Sequence, residues 1–147
     1  MKKNINMNVK VKKLTPEAII PKYSKPGDAG LDLTATSKSI QGKNIVYGTG
    51  LAIEIPEGYL GLLLPRSSLT NYDLSLGNHI GLIDSGYRGE LIFKFKRTDL
   101  QAFTKEYYVG DRIGQLLIIP YPKVNLVEVA ELESSERGSS GYGSSGA

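Results

Sequence analysis

Apolar residues in this chain come in short runs, alternating or briefly continuous, and almost every run is closed by a turn signal; that rhythm admits a β fold and little else. Candidate strands are Val9–Leu14, Gly30–Ala35, Ile45–Tyr47, Leu51–Ile55, Tyr59–Leu64, Glu90–Arg97, Arg112–Ile119 and Val124–Leu132. Between them stand turns such as Lys25-Pro26-Gly27-Asp28, Ile55-Pro56-Glu57-Gly58, Asp84-Ser85-Gly86 and Val109-Gly110-Asp111. No window holds a helical stripe longer than about two turns. With 17 Gly in 147 residues, this pattern predicts one all-β domain, an antiparallel sandwich or barrel, with no internal repeat.

Composition excludes several chemistries. Zero Cys removes disulfides, thiolate nucleophiles and Cys-ligated zinc, including the zinc site of common nucleoside deaminases. The excess of 18 Lys and Arg over 15 Asp and Glu gathers partly at Lys2, Lys3, Lys10, Lys12 and Lys13, with no reading motif or stacking aromatics beside it. This reads as a solvated strand face, not a nucleic-acid surface. The start, Met1 to Asn6, lacks a signal peptide's apolar core, and no stretch is long enough for a membrane span. A soluble, cytoplasmic protein is expected, or one inside a host cell if a virus encodes it, with no membrane or nucleic-acid partner.

From Ser134 the composition changes to Gly and Ser. Such a segment buries too little to offset its ordering entropy and reads as a mobile arm, 134–147, on a 1–133 domain. Yet Arg137 and Tyr142 grip phosphate and stack on bases in other settings, and glycine-rich backbone can wrap an anion. Gly141-Tyr142-Gly143-Ser144-Ser145-Gly146 matches G-x-G-x-x-G only formally, because the chain ends where a dinucleotide fold needs a helix. No P-loop motif is present.

Four further polar islands fall at strand ends: Ala29-Gly30-Leu31-Asp32-Leu33, Leu64-Pro65-Arg66-Ser67-Ser68-Leu69, Gly77 to Leu91, and Gly110 to Leu116. Alone, each has an ordinary explanation. Asp32 alternates with core leucines as a solvated strand residue does, and Asp84 could cap its own turn. Arg66-Ser67 suits phosphate but also occurs in plain turns. Gln115, inside an apolar run, needs a partner for its amide. A Ser-His-Asp triad from Ser85, His79 and Asp84 is excluded by their crowding on one turn.

Taken with the arm, these islands resemble, in order and spacing from Lys25 to Gly146, the five motifs of the trimeric deoxyuridine triphosphatases. The resemblance implies a jelly-roll-like β subunit, a homotrimer with active sites shared between chains, and Mg²⁺-assisted cleavage of dUTP to dUMP and pyrophosphate. By the same resemblance Asp32 holds Mg²⁺ through water, Arg66 and Ser67, with Ser68 beside them, contact the phosphate chain, and Gln115 lies near the α-phosphate. Asn78 and the backbone at Gly81 and Ile83 match the hairpin that reads uracil, and Tyr87 the ring that packs on deoxyribose. Asp84 matches the aspartate that activates the attacking water. Arg137 matches the group on the terminal phosphates, Tyr142 the ring over the base, and Gly141, Gly143, Ser144 and Ser145 the phosphate wrap. Ser68 and Ser140 stand where the family usually has Gly, and Tyr142 where Phe is most frequent. Alternatives are a dCTP deaminase of the same fold, or a dUTP-sensing module with a regulatory protein partner docked at Ser67–Gly77.

Overall fold

The computed structural model describes residues 6–100 and 104–146. The start read above as lacking a signal-peptide core lies mostly outside them, as does Ala147. Among the described residues ten strands form: β1 Lys10–Lys13, β2 Leu31–Thr34, β3 Ser37–Gln41, β4 Asn44–Gly48, β5 Leu51–Glu54, β6 Tyr59–Leu64, β7 Leu74–Leu76, β8 Gly81–Ile83, β9 Ile92–Arg97 and β10 Arg112–Pro120. They make two four-stranded sheets, β2-β10-β6-β8 and β3-β4-β9-β7, and a two-stranded β1-β5 ribbon, with every pairing antiparallel. The all-β expectation holds.

Alternation builds the core between the sheets. On β9, Phe93 and Phe95 point inward while Lys94 and Lys96 face solvent. Opposite them, β10 has Gly114, where any Cβ would collide with the Phe93 ring. Leu33, Leu63, Ile113 and Leu116 of one sheet thus share a cluster with Ile45, Tyr47, Phe93, Phe95, Leu74 and Leu76 of the other. Each fully buried large side chain contributes roughly 1.5–3 kcal/mol.

Three strands were not expected from the pattern. β3 is exposed throughout and pairs with β4 across the Gln41 to Asn44 turn, where Gly42 has φ 58°. β7 and β8 are three residues each, too short for period-two alternation to register. One expected strand is absent: Val124–Leu132 forms no ladder, and Val124, Leu126, Val127, Val129 and Leu132 all lie exposed. A strand exists only against a partner, and none of the described strands pairs with that segment. Beyond Pro120 the described chain has no strand or helix. Among the described residues, no helix is long and apolar enough to cross a membrane.

Below the second sheet, Glu106 accepts from Arg97, from Lys38 at 3.1 Å and from Thr104 at 3.1 Å. The Arg97 hydrogen bond above all, helped by Lys38 and Thr104 against the cost of burial, holds the Glu106 carboxyl well below its ordinary value, at about 2. Because the folded pKa is depressed, the stabilisation is complete above the unfolded value near 4.5 and is lost as pH falls toward 2. Arg97 is 42% exposed, so solvent screening trims the gain. Glu106→Gln is expected to cost about 1–2 kcal/mol at neutral pH and to flatten the acid limb of a denaturation series between pH ~4.5 and ~2.

Candidate active site

The sheet β2-β10-β6-β8 presents one polar cluster on its outer face. Asp32 of β2 lies directly across from Gln115 of β10, which lies directly across from Leu64 of β6. Directly opposed residues share a face, so the carboxylate and the amide stand side by side. Past Leu64, Pro65 ends the strand and turns the chain into a short 3₁₀ turn, Ser67–Asn71, with Arg66 still extended at φ −77° and ψ 152°. Arg66 returns to Asp32, Nε to Oδ1 at 3.3 Å, and its Nη1 donates to Ser68 Oγ at 3.4 Å. Arg112 donates to the other Asp32 oxygen at 3.2 Å. Gln115 donates from Nε2 to the Pro65 carbonyl at 3.2 Å, while its Oε1 lies where a Cβ on Gly30 would stand. Gly30 is therefore the residue that leaves room for the amide.

A second group occupies the other end of the same sheet. Leu76 leads through Gly77 and Asn78 to His79, left-handed at φ 62°, a conformation His tolerates better than most residues. The chain returns as β8, pairing Gly81 with Leu63 and Ile83 with Gly61. A turn follows, closed by Tyr87 N–H to the Asp84 carbonyl at 3.1 Å and braced by Arg88 donating to the Ser85 carbonyl at 2.6 Å. The Tyr87 ring lies over Gly89, where no Cβ would fit, and its hydroxyl donates to the Glu90 carbonyl at 3.1 Å. Asp84 is exposed, and its carboxylate makes no hydrogen bond or ion pair among the described residues.

The third group is the arm. Its hydrogen bonds run within it: Arg137 Nε to the Ser140 carbonyl at 3.0 Å, Ser144 N–H to the Gly141 carbonyl at 3.2 Å. Gly138, Tyr142, Gly143 and Gly146 have positive φ and Ser140 does not, so the serine fits its backbone here.

A family model described as dUTPase matches residues 16–146. The chain belongs to the dUTPase family. The deoxyuridine 5'-triphosphate nucleotidohydrolase of Thermobifida fusca is 38% identical over 143 residues, covering 95% of this chain and 79% of that protein. The enzyme of the same name from Nocardia farcinica is 40% identical over 145 residues, covering 94% and 85%. Among solved structures, the Staphylococcus bacteriophage 80alpha dUTPase with dUpNHpp is 31% identical, with a TM-score of 0.82 over 97% of this chain and 100% of that one. A mutant dUTPase from phage phi11 of S. aureus, whose structure concerns coordination of a structural Mg(II) ion, is 28% identical, with a TM-score of 0.73 over 87% and 100%.

The dUTPase cofactor is Mg²⁺. Among the described residues no group of three or more His, Cys, Asp or Glu could cage a metal. The donors present fit Mg²⁺ all the same, because it retains water and is commonly held by one carboxylate together with substrate phosphates. Asp32, 19% exposed and fixed by two guanidinium groups, is such a carboxylate. Arg112, Arg88, Gly30 and Gly89 were not singled out from the sequence. Arg112 stood in the quoted fourth island, but only the β2–β10 register puts it against Asp32.

Proposed function

We propose that this dUTPase cleaves dUTP to dUMP and pyrophosphate at sites assembled from different copies of the chain, with Asp84 of one copy acting beside Asp32, Arg66 and Gln115 of another. One observation carries this. Ile83 pairs with Gly61, whereas Arg66 lies five positions further along extended backbone; with Asp84 a step beyond Ile83, the two are separated by about 20 Å at ~3.3 Å per residue. A general base must come within hydrogen-bond reach of the water it activates, so one chain cannot bring both groups to one phosphate. The outer face of the sheet supports assembly. Leu60, Leu62 and Leu64 sit across from Ile119, Leu117 and Gln115, with Leu82 beside Leu62, an apolar stripe left partly exposed. The exposed apolar segment Val124–Leu132 points the same way. The family's trimer is the assembly this reading adopts.

In the proposed mechanism, edge strand β8 offers unpaired backbone N–H and C=O groups to the uracil edge, with Asn78 beside them. Tyr87, pinned through its hydroxyl, presents a fixed ring to the deoxyribose. Arg66, Ser67, Ser68 and Gln115 bind phosphate oxygens, and Asp32 would hold Mg²⁺ through water. Bound Mg²⁺ neutralises triphosphate charge and favours the pyrophosphate leaving group. Asp84 accepts a proton as its water attacks the α-phosphorus, the bond from that phosphorus to the bridging oxygen breaks, and pyrophosphate departs. The arm 134–147 closes last: Arg137 on the terminal phosphates, Tyr142 over the base, Gly141, Gly143, Ser144 and Ser145 around the oxygens. In the segment considered for a regulatory partner, Leu74 and Leu76 are core residues of β7, which leaves Ser67, Thr70 and Asn71 as its exposed part.

The test is subunit complementation. Asp84→Asn and Arg66→Ala chains, each inactive alone, are mixed, co-refolded and assayed with Mg²⁺ for pyrophosphate from dUTP, dCTP, dTTP and UTP. In a cyclic trimer with random mixing, three quarters of the assemblies are mixed and each regains one site in three, so about a quarter of wild-type dUTP activity should return. No recovery would place both residues in one chain's site. Ammonia from dCTP would indicate the deaminase.

A further inference from the structure

The Asp84 side chain takes its direction from the turn that carries it, and packing does not hold that turn. Beyond Ile83, the last residue of β8, Asp84, Gly86, Tyr87 and Arg88 are all exposed. A Cβ on Gly86 would meet nothing within 4 Å, and Ser85 and Gly86 border an open cleft of about 460 Å³ whose far walls include Ile55, Gly58, Tyr121 and Lys123. One backbone hydrogen bond closes the turn, Tyr87 N–H to the Asp84 carbonyl at 3.1 Å. Arg88 adds two more: its Nη1 donates to the Ser85 carbonyl at 2.6 Å and to the Tyr87 carbonyl at 3.1 Å. Its Nη2 reaches strand β5, where Glu54 Oε1 lies at 3.4 Å. Glu54 Oε2 is in turn 3.0 Å from Nζ of Lys10, the residue directly across the β1–β5 ribbon.

We propose that Arg88 is a positioning residue for Asp84: bridging the Ser85 and Tyr87 carbonyls, with Glu54 on its far nitrogen, it fixes the turn from which the Asp84 carboxylate reaches its water. This rests on Asp84 acting as the base, as proposed above. A charged donor makes the stronger hydrogen bonds, and the 2.6 Å contact to Ser85 is short for nitrogen to oxygen. The ion pairs Lys10–Glu54 and Glu54–Arg88 are exposed, and such pairs add little to stability. Their effect is on direction: Glu54 sits at the end of a strand and gives the mobile guanidinium a fixed anchor. A base works only within hydrogen-bond reach of its water, and a displacement of about 1 Å can cost about 10²-fold in rate. Tyr87 is pinned separately, its hydroxyl donating to the Glu90 carbonyl at 3.1 Å, so the proposed sugar contact does not depend on Arg88.

The experiment separates aim from stability. With Mg²⁺, Arg88→Ala should lower kcat for dUTP about ten- to hundredfold. Its affinity for the non-hydrolysable dUpNHpp should stay within a few-fold of wild type, and its melting temperature within about 2 °C, because the hydrogen bonds it loses are exposed. Glu54→Gln keeps the shape and loses the charge; it should lower kcat about two- to fivefold, and not at all in a chain that already carries Arg88→Ala. In the Asp84→Asn chain, assayed at high enzyme concentration for its residual turnover, Arg88→Ala should cost nothing more, since residues that act as a unit are not additive. An unchanged kcat in Arg88→Ala, an equal loss of kcat and dUpNHpp affinity, a melting temperature lowered beyond that range, or a further tenfold loss in the Asp84→Asn chain would each overturn the proposal. Asp84→Asn by itself separates the two readings. If it removes turnover and Arg88→Ala does not lower it, only the role of Arg88 fails; if it turns over normally, the base role of Asp84 fails and takes this one with it.

Discussion

Asp84→Asn is expected to lower kcat for dUTP by about a thousandfold while leaving the affinity for dUpNHpp within a few-fold of wild type, in line with the 10²–10⁴ that a positioned general base supplies. The two carboxylates of the proposed site differ in a way that supports this division of work. Asp32 is fixed by Arg66 and Arg112 at 3.3 and 3.2 Å, one guanidinium on each oxygen, an arrangement that suits holding metal-bound water more than taking a proton. Asp84 projects from a turn braced by Arg88 and Tyr87, and its oxygens have no protein partner among the described residues. A carboxylate held in place by its backbone but free at its oxygens can take a proton from water; an amide of the same shape cannot. Because Asp84 is exposed, the change should leave the melting temperature nearly unmoved, as surface substitutions away from special features usually do. Steady-state kinetics with dUTP and calorimetric titration with dUpNHpp read the two quantities separately. A drop in kcat below about tenfold would remove Asp84 from the role of base.

Removing residues 134–147 is expected to be nearly as damaging to turnover and nearly silent for folding. The arm is exposed almost throughout, and its hydrogen bonds, such as Arg137 to Ser140 and Gly146 to Gly143, are internal. Its loss therefore exposes no core, and the truncated protein should keep its assembly size and melt within about 1–2 °C of the full chain. What goes is Arg137, the cation proposed for the terminal phosphates, together with the proposed closure that would exclude water. Catalytic arginines in phosphoryl transfer contribute about 10³–10⁵ in rate. In the proposed site the chemistry is shared with Arg66, Gln115 and Mg²⁺, so a loss of about 10²–10³ is the expectation. Full activity in the truncated chain would end the lid model.

The resemblance recognised in five short islands extended to the whole fold, and its reach had a physical basis. Arg66-Ser67 and Asp84 stand just past strand ends and Asp32 and Gln115 face each other within paired strands, positions where a turn or a register fixes the direction of a side chain. The strands that were missed lacked a local signal for definite reasons. β3 buries neither face, and β7 and β8 are held by their neighbours, Leu74 across from Arg97 and Gly81 across from Leu63. Val124–Leu132 erred the other way. Its alternation is that of a strand, but alternation reports a face that wants burial, not the chain that will bury it.

Read alone, the amino acids were enough for the β class, many of the turns and the family, because these rest on local periodicity, Gly and Pro punctuation and short motifs. Three-dimensional pairing alone could decide that Arg112 and Arg66 share Asp32, that Gly30 makes room for Gln115, and that Asp84 and Arg66 stand at opposite ends of β6. Those relations join residues from 30 to 115 through antiparallel register, and register is set by which faces can be buried together, a property of the packed sheets that no stretch of the chain carries by itself.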